Sequence, residues 1–368
     1  MKKSKKILLL VLALVMILSL AACGGKTDDN AGEGKVTEEG KEPENQDGDK
    51  EGQEGQENTE TAEKELVLRR AYYAAHGEKA FGRFLVAMDG DTFVAANIDE
   101  YQFGNADGEN TFVPNFDKGF GQGFAEGKAL YSKSVNFDLY SKNMAEKAKA
   151  TKTLDENYKA IEEFVVGKTV AEVEKVISEA ADGKPVDAVS GSTLVDTKGY
   201  LMGLVEAAKN TDMEAKGKAS DPANVKLAFV LGAPHGEKSF ADTAVLVEGD
   251  KLVAANIDEF QFFGEGQGVP NSDKGFGENY AEGKLLGSKK VNSESYSKNM
   301  TEKAKATKTL DENYRAIEEF VVGKTIADLE KVFSEAADGK PVDAISGSTL
   351  VDTKGYLGQI IEAAKAVK

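Results

Sequence analysis

The chain of 368 residues carries 46 basic and 63 acidic side chains, a formal net charge of −17, and 40% of its residues are hydrophobic. This length allows two or three domains with packed cores, and the negative charge disfavours nucleic acid as a partner. The single cysteine excludes an internal disulfide and a cysteine-based zinc or iron–sulfur site, and two histidines leave little for a histidine metal site. A redox function would therefore need a bound organic cofactor.

Residues 1–22 have the pattern of a lipoprotein signal peptide. Four lysines precede an apolar run at residues 7–20, which is short for a membrane-spanning helix. The run ends in Leu20-Ala21-Ala22-Cys23, which resembles a bacterial lipobox. The resemblance implies that residues 1–22 are removed, that Cys23 carries a lipid, and that the protein is anchored on the extracellular face of the cell membrane. The alternative is an ordinary signal peptide with an incidental cysteine.

The lipidated cysteine would begin an acidic linker, residues 23–64. Between residues 24 and 64 there are 14 acidic and 5 basic side chains and almost no large apolar ones. Such a segment cannot bury a core, so the composition predicts a disordered spacer.

The rest of the chain contains an internal duplication. Residues 141–209 recur at residues 297–365 with 58 of 69 positions identical, and the match continues upstream more loosely. We expect two tandem homologous domains, residues 65–212 and 222–368, joined by a short polar link at residues 210–222.

In chain order, each repeat predicts strands first and helices afterwards. Strands are expected at residues 66–74, 84–88 and 92–96, and the Asp-Gly-Asp turn at residues 89–91 favours a hairpin between the last two. The second repeat has equivalent strands at residues 225–231, 245–247 and 252–255. Capping boxes at Thr153 and Thr169 open two helices, and Gly183 is expected to end the second. This order predicts an α+β fold in which each domain pairs an antiparallel sheet with helices.

A short motif follows the second helix of each repeat. It reads Asp187-x-x-Ser190-Gly191-Ser192-Thr193 in the first repeat and Asp343-x-x-Ser346-Gly347-Ser348-Thr349 in the second. Another helical stripe comes next, so the motif forms a small-residue loop leading into a helix N-terminus, where free N–H groups suit a phosphate. The glycine would let a ligand approach the backbone, and the hydroxyls add donors. An ordinary helix cap explains the same residues.

The motif resembles the Asp-x-x-Ser-Gly-Ala-Thr flavinylation signature of FMN-binding domains. In that family the last threonine is esterified to the phosphate of FMN by an exported FAD:protein FMN transferase, which implies Thr193 and Thr349 as acceptors of two covalent FMN groups. The family's motif acid corresponds to Asp187 and Asp343, for which a turn-forming role is the alternative. Ser192 and Ser348 replace the family's alanine, so each adds a competing hydroxyl beside the acceptor.

Two other features have both a functional and a structural interpretation. His76 and His235, each followed by glycine, could donate a proton or a hydrogen bond to a flavin, or could be turn residues. Aromatic residues around Tyr101 and Phe260, and also Phe120 and Phe276, could stack on a ring or pack in a core.

Together with the lipobox and the acidic linker, the two motifs resemble a flavinylated lipoprotein of Gram-positive flavin-based extracellular electron transfer. The resemblance implies an electron carrier and not a stand-alone enzyme. It would accept electrons from a membrane NADH dehydrogenase through quinone and pass them to extracellular acceptors such as ferric iron or free flavin. The alternative is a non-covalent solute-binding or adhesive surface lipoprotein without flavin.

Overall fold

The computed structural model describes residues 63–367. The predicted signal peptide, Cys23 and nearly all of the predicted linker lie outside the described residues. Within residues 63–367 no helix combines the length and the apolar content that a membrane span requires.

The first repeat contains four antiparallel strands followed by four helices. The strands are β1 (Lys64–Tyr73), β2 (Ala80–Asp89), β3 (Thr92–Asn105) and β4 (Lys128–Ser132). The helices are α1 (Phe137–Ala148), α2 (Leu154–Val165), α3 (Val170–Glu179) and α4 (Thr197–Lys209).

A further strand, β5 (Glu214–Ala219), precedes the second repeat, which has the same order of elements. Its strands are β6 (Val225–Gly232), β7 (Ser239–Glu248), β8 (Lys251–Phe263) and β9 (Leu285–Ser288). Its helices are α5 (Ser293–Ala304), α6 (Leu310–Val321), α7 (Ile326–Glu335) and α8 (Thr353–Ala366). The protein is therefore an α+β protein with two antiparallel sheets, in the orders β4-β3-β2-β1-β5 and β6-β7-β8-β9.

The predicted local signals have mixed outcomes. The hairpin between β2 and β3 is confirmed, with Gly90 at φ +61°. The capping boxes at Thr153 and Thr169 are also confirmed, since each hydroxyl accepts a backbone N–H three residues on. The predicted stop at Gly183 is wrong. Helix α3 ends at Glu179, because Ala180 turns into an extended conformation at ψ 132°.

The expected polar link between the repeats contains a strand. Strand β5 pairs antiparallel with β1 and completes the edge of the first sheet. Alternate residues of β5 are buried, and Gly217 lies so close to the second sheet that a Cβ would meet the carbonyl oxygen of Val253 at 1.6 Å. The composition of residues 210–222 does not predict this strand, because β1 and Val253, which it contacts, are distant in sequence.

Four hydrophobic clusters hold the elements together. One lies between the first sheet and its helices, and one between the second sheet and its helices. The other two contain residues of both repeats. Tyr101, Phe120, Phe260 and Phe276 are buried in one of these shared clusters, which confirms their packing role.

The repeats contact each other reciprocally. The Asn115 side chain donates to the carbonyl oxygens of Gly236 and Ser239, both at 2.8 Å. The equivalent Asn271 donates in the same way to Gly77 and Ala80 of the first repeat, at 2.9 and 2.8 Å. The contact surface thus uses the same positions of both repeats, as in a two-fold symmetric dimer.

Candidate functional site

The loop before the last helix of each repeat presents a threonine to solvent. Thr193 is exposed in the loop between α3 and α4, and Thr349 is exposed between α7 and α8. The preceding serines, Ser192 and Ser348, are buried. Adjacent hydroxyls of the same motif therefore lie in opposite environments.

The buried serine hydroxyl is held by a second buried hydroxyl. The Oγ of Ser192 lies 2.9 Å from Oγ1 of Thr197, which in turn donates to the carbonyl oxygen of Leu194 at 2.6 Å. Ser348 and Thr353 repeat the contact at 2.9 Å. Because Thr197 uses its own hydrogen on a carbonyl, it accepts the hydrogen of Ser192. The serine expected to compete with the acceptor threonine is thus engaged inside the protein.

A buried asparagine holds the exposed threonine. Asn157 of α2 has no exposed surface, and its Oδ1 accepts from the backbone N–H of Thr193 at 2.6 Å and from Thr193 Oγ1 at 3.2 Å. Asn313 of α6 makes the same contacts with Thr349, at 2.6 and 3.1 Å. These asparagines were not predicted from the sequence, although a polar residue on the apolar face of a helix is a usable signal.

The glycine of the motif lets the loop approach a helix. At Gly191, whose φ is +106°, a Cβ would come within 3.1 Å of the Cβ of Ala160 in α2. At Gly347 the corresponding distance to Ala316 is 2.5 Å. Lys152 donates to the carbonyl oxygen of Gly191 at 2.6 Å, and this lysine places a positive charge beside the loop.

A cleft of about 420 Å³ opens beside Thr349. Its lining combines aromatic and aliphatic side chains with ionisable groups. The lining includes Tyr296, Met300, Leu350, Val351, His235, Asp352 and Tyr356.

A buried ionic cluster lies beneath the histidine of each repeat. In the second repeat, Oε2 of Glu259 accepts from Lys289 Nζ at 2.6 Å, from Tyr314 OH at 2.9 Å and from Tyr356 OH at 2.8 Å. The side chains of Glu259 and Lys289 have no exposed surface. In the first repeat the cluster consists of Glu100, Lys133, Tyr158 and Tyr200.

The cluster keeps its ion pair charged. Burial alone would raise the pKa of Glu100, but the positive charge of Lys133 outweighs it and lowers the pKa to about 2. Burial would likewise lower the pKa of Lys133, and the charge of Glu100 raises it instead. Burial raises the pKa of Tyr158 and Tyr200 well above the usual tyrosine value, and the neighbouring carboxylate adds to the shift. A carboxylate, an ammonium group and neutral phenols therefore coexist in the core.

Each histidine connects this cluster with the surface. Nδ1 of His235 lies 2.8 Å from Lys289 Nζ, and Nε2 lies 3.8 Å from a carboxylate oxygen of Asp352. His76 has the same neighbours, Lys133 at 3.2 Å and Asp196 at 3.8 Å. Since an ammonium group only donates, Nδ1 accepts, and Nε2 carries the hydrogen of the neutral ring. Both histidines also precede a glycine with positive φ, so the turn role and the site role coincide.

The aspartates at the starts of the last helices lie near the histidines and do not cap the helices. Asp196 and Asp352 occupy the N-cap positions of α4 and α8, but neither side chain makes a capping hydrogen bond. Neither aspartate side chain caps its helix, and each carboxylate lies near a histidine instead.

In the part of the chain that the structure describes, no hydrogen bond joins Asp187, Ser190, Asp343 or Ser346 to an acceptor threonine. Asp187, Ser190 and Ser346 are exposed. Asp343 is exposed and lines a separate depression beside Pro341 and Ala336, apart from the cleft of Thr349.

The comparisons with known proteins add no assignment: no protein-family model, no curated protein and no solved structure matches this chain.

Proposed function

We propose that this protein is an electron carrier that holds two covalently attached FMN groups, one on Thr193 and one on Thr349. The observation that carries the proposal is the paired environment of these threonines. In both repeats the last residue of a flavinylation-like motif is exposed, while the neighbouring serine is buried. Each repeat, residues 65–212 and 222–368, would act as one FMN-binding domain.

The residues around Thr349 fit a flavin. Tyr296, Met300 and Leu350 offer an aromatic and apolar surface for a ring, and His235 and Asp352 offer polar contacts at the same cleft. A phosphate esterified to Thr349 would lie at the loop that Lys308 borders through its contact with Gly347 O at 2.6 Å. The free N–H groups at the start of α8 favour the same negative charge.

When bound, FMN would supply one- and two-electron transfer, and the ester would prevent its loss to the medium. The chain's own groups would set the surroundings of the ring. Lys289 and Glu259 hold a fixed ion pair beneath the cleft, and His235 lies between that pair and Asp352. His235 is thus the imidazole at the cleft that would offer a hydrogen-bond donor to a bound ring.

The proposed cellular location and electron-transfer partners of the carrier follow from the sequence. A lipid on Cys23 would anchor it at the extracellular face of the cell membrane, and the acidic linker of residues 23–64 would give it reach. An exported FAD:protein FMN transferase would attach the flavins. Electrons would then pass from a membrane NADH dehydrogenase and quinone to acceptors such as ferric iron or free flavin.

The test is the intact mass of the chain made together with its transferase, followed by peptide mapping. We expect two additions of FMN minus water, on the peptides that contain Thr193 and Thr349. Thr193→Ala and Thr349→Ala should each remove one addition, and the double variant both. An unmodified mass, in a preparation where an established substrate of the same transferase is modified, would contradict the proposal and favour a non-covalent binding or adhesive lipoprotein.

A further inference from the structure

We infer that Asn157 and Asn313 select and orient Thr193 and Thr349 as the acceptors of the flavin phosphate. The inference rests on the proposed function, because it concerns the step that attaches the FMN. It assigns a positioning role to two buried residues outside the flavinylation-like motif.

The side-chain amide of Asn157 has a fixed orientation. Its side chain lies fully inside the protein, and its Nδ2 donates to the carbonyl oxygen of Thr153 at 2.7 Å. The backbone N–H of Thr193 requires an acceptor and meets Oδ1 at 2.6 Å. These two contacts leave one assignment of the amide oxygen and nitrogen.

Asn157 also orients the side-chain hydroxyl of Thr193. Because Oδ1 of Asn157 only accepts, the hydroxyl of Thr193 turns its hydrogen inward at 3.2 Å. The oxygen lone pairs are then left for the solvent side. A hydroxyl attacks phosphorus through a lone pair, so this orientation presents the reactive part of Thr193 to an incoming substrate.

Two neighbouring hydroxyls of the loop are engaged inside the protein. Ser192 and Thr197 are buried and hydrogen-bonded to each other, and Thr197 also donates to the backbone. Neither can reach a substrate without disrupting the loop. Ser190 is exposed, but no hydrogen bond in the described chain orients its hydroxyl. Thr193 is therefore the hydroxyl of the loop that is both exposed and oriented, and the residue that orients it is Asn157.

The reaction is a phosphoryl transfer without a change of oxidation state. The Oγ of the threonine forms a bond to the phosphorus on the FMN side of a flavin adenine dinucleotide. The bond from that phosphorus to the bridging oxygen breaks, and adenosine monophosphate leaves. As this bond forms, the hydroxyl proton leaves its hydrogen bond to Asn157 and passes to a base of the transferase. Asn157 does not take the proton, because an amide oxygen is too weak a base, and so its role is orientation.

The test uses the full chain, in which the second repeat serves as an internal reference. With Asn157→Ala, modification of Thr193 should be at least about tenfold slower than in the parent chain, since misplacement of a reacting group by about 1 Å costs up to about 100-fold. Modification of Thr349 in the same molecules should keep its rate. Asn157→Asp keeps the acceptor oxygen and should restore part of the rate. Equal rates at Thr193 and Thr349 in the Asn157→Ala chain would overturn the inference.

A control separates positioning from loss of fold. Asn136 is a buried asparagine that holds Thr111 and Ser132, away from the motif. Asn136→Ala should therefore leave modification of Thr193 unchanged. In a Thr349→Ala background, Asn157→Ala should lower kcat for the transferase more than it raises KM for the protein substrate, because the buried side chain cannot touch the transferase. A change confined to KM would contradict an orienting role.

A second readout needs no flavin. In the unmodified protein, Asn157→Ala should increase amide hydrogen exchange at Thr193, while the amide of Leu201 inside α4 stays protected. Unchanged exchange at Thr193 would overturn the contact on which the inference rests. If instead the parent chain is modified at neither threonine, the proposed function itself fails, and that outcome is distinct from equal modification of both sites in the variant.

Discussion

Arg83 and Asp242 occupy equivalent positions of the two repeats and form a buried ion pair, with Arg83 Nε 2.9 Å from Asp242 Oδ2. Both side chains are fully buried. Asp242 also pairs with Arg70 at 3.0 Å. The two repeats have thus acquired opposite charges at one position of their shared surface. Burial would raise the pKa of Asp242, but Arg83 and Arg70 outweigh burial and lower it.

The first prediction compares the two ends of this pair. Asp242→Ala leaves Arg70 and Arg83 buried without a carboxylate, so we expect a loss of about 3–5 kcal/mol in the free energy of unfolding. Arg83→Met should cost less, because Asp242 keeps Arg70 as a partner and methionine fills part of the space. Urea unfolding monitored by circular dichroism measures both values. Equal losses would show that Asp242 does not serve both arginines.

The second prediction concerns a glutamate that pairs with a lysine in only one of the two repeats. In the second repeat Glu318 pairs with Lys290 at 2.8 Å, but the position equivalent to Lys290 in the first repeat is Ser134. Glu162, the equivalent of Glu318, accepts from the backbone N–H of Ile98, and burial raises its pKa to about 7.

The sign of the pH effect follows from this pKa. The folded state holds a proton on Glu162 at pH values where the unfolded state has released it, so the contribution of Glu162 to stability falls as pH rises from about 4.5 to about 7. Glu162→Gln should therefore stabilise the protein at pH 8 relative to pH 4.5, by about 1–2 kcal/mol because the side chain is only half-buried. Glu318→Gln is the matched control and should destabilise the protein at pH 8, because it removes the carboxylate that pairs with Lys290. A pH-independent effect of Glu162→Gln would contradict the assignment.

The third prediction concerns the histidines. The chain has two, one in each site, so each imidazole gives its own signal in a nuclear magnetic resonance spectrum. We expect the neutral rings of His76 and His235 to carry hydrogen on Nε2, because Lys133 and Lys289 donate to Nδ1. Nitrogen-15 shifts of histidine-labelled protein distinguish the two tautomers. Hydrogen on Nδ1 in either neutral ring would show that the lysine does not donate to it.

The fourth prediction concerns the buried lysine. Lys133→Met removes the cation that keeps Glu100 charged, so we expect a loss of about 3–5 kcal/mol at pH 7. In the parent protein the lowered pKa of Glu100 adds stability above about pH 4.5, and that stability is lost as pH falls toward 2. The variant should lose this acid dependence. Lys142→Met, on an exposed position of α1, is the control and should change stability little.

The sequence predicts this fold best where the signals are local. Capping boxes at Thr153 and Thr169 and the turn at Gly90 depend on residues within a few positions, and the structure reproduces them. Strand β5 escaped prediction because its pairing with β1 and its contact with Val253 come from distant parts of the chain.

In the candidate site, too, local features could be predicted from the sequence and contacts between distant residues could not. The motif loop and its exposed threonines follow from a short run of residues, whereas Asn157 and Lys133 reach the site only through the packing of α2 and the end of β4. The sequence alone could not decide whether His76 is a turn residue or contacts a ligand. The neighbours that settle its surroundings, Lys133 and Asp196, are far away in sequence. Single residues of this kind carry no periodic pattern, and only the folded chain brings them together.

The paired surface between the repeats also bears on the genetic stability of the duplication. Residues 141–209 and 297–365 are nearly identical, and an unequal crossover within them would delete one repeat's length of chain. The shortened product would retain Arg70 and Arg83 but lose Asp242 and Asn256, the second-repeat residues that bind these arginines. Two cations would then face an open apolar surface, and a second copy of the product would bring the same cations to it. Such deletions should therefore yield proteins that are less stable than the parent chain.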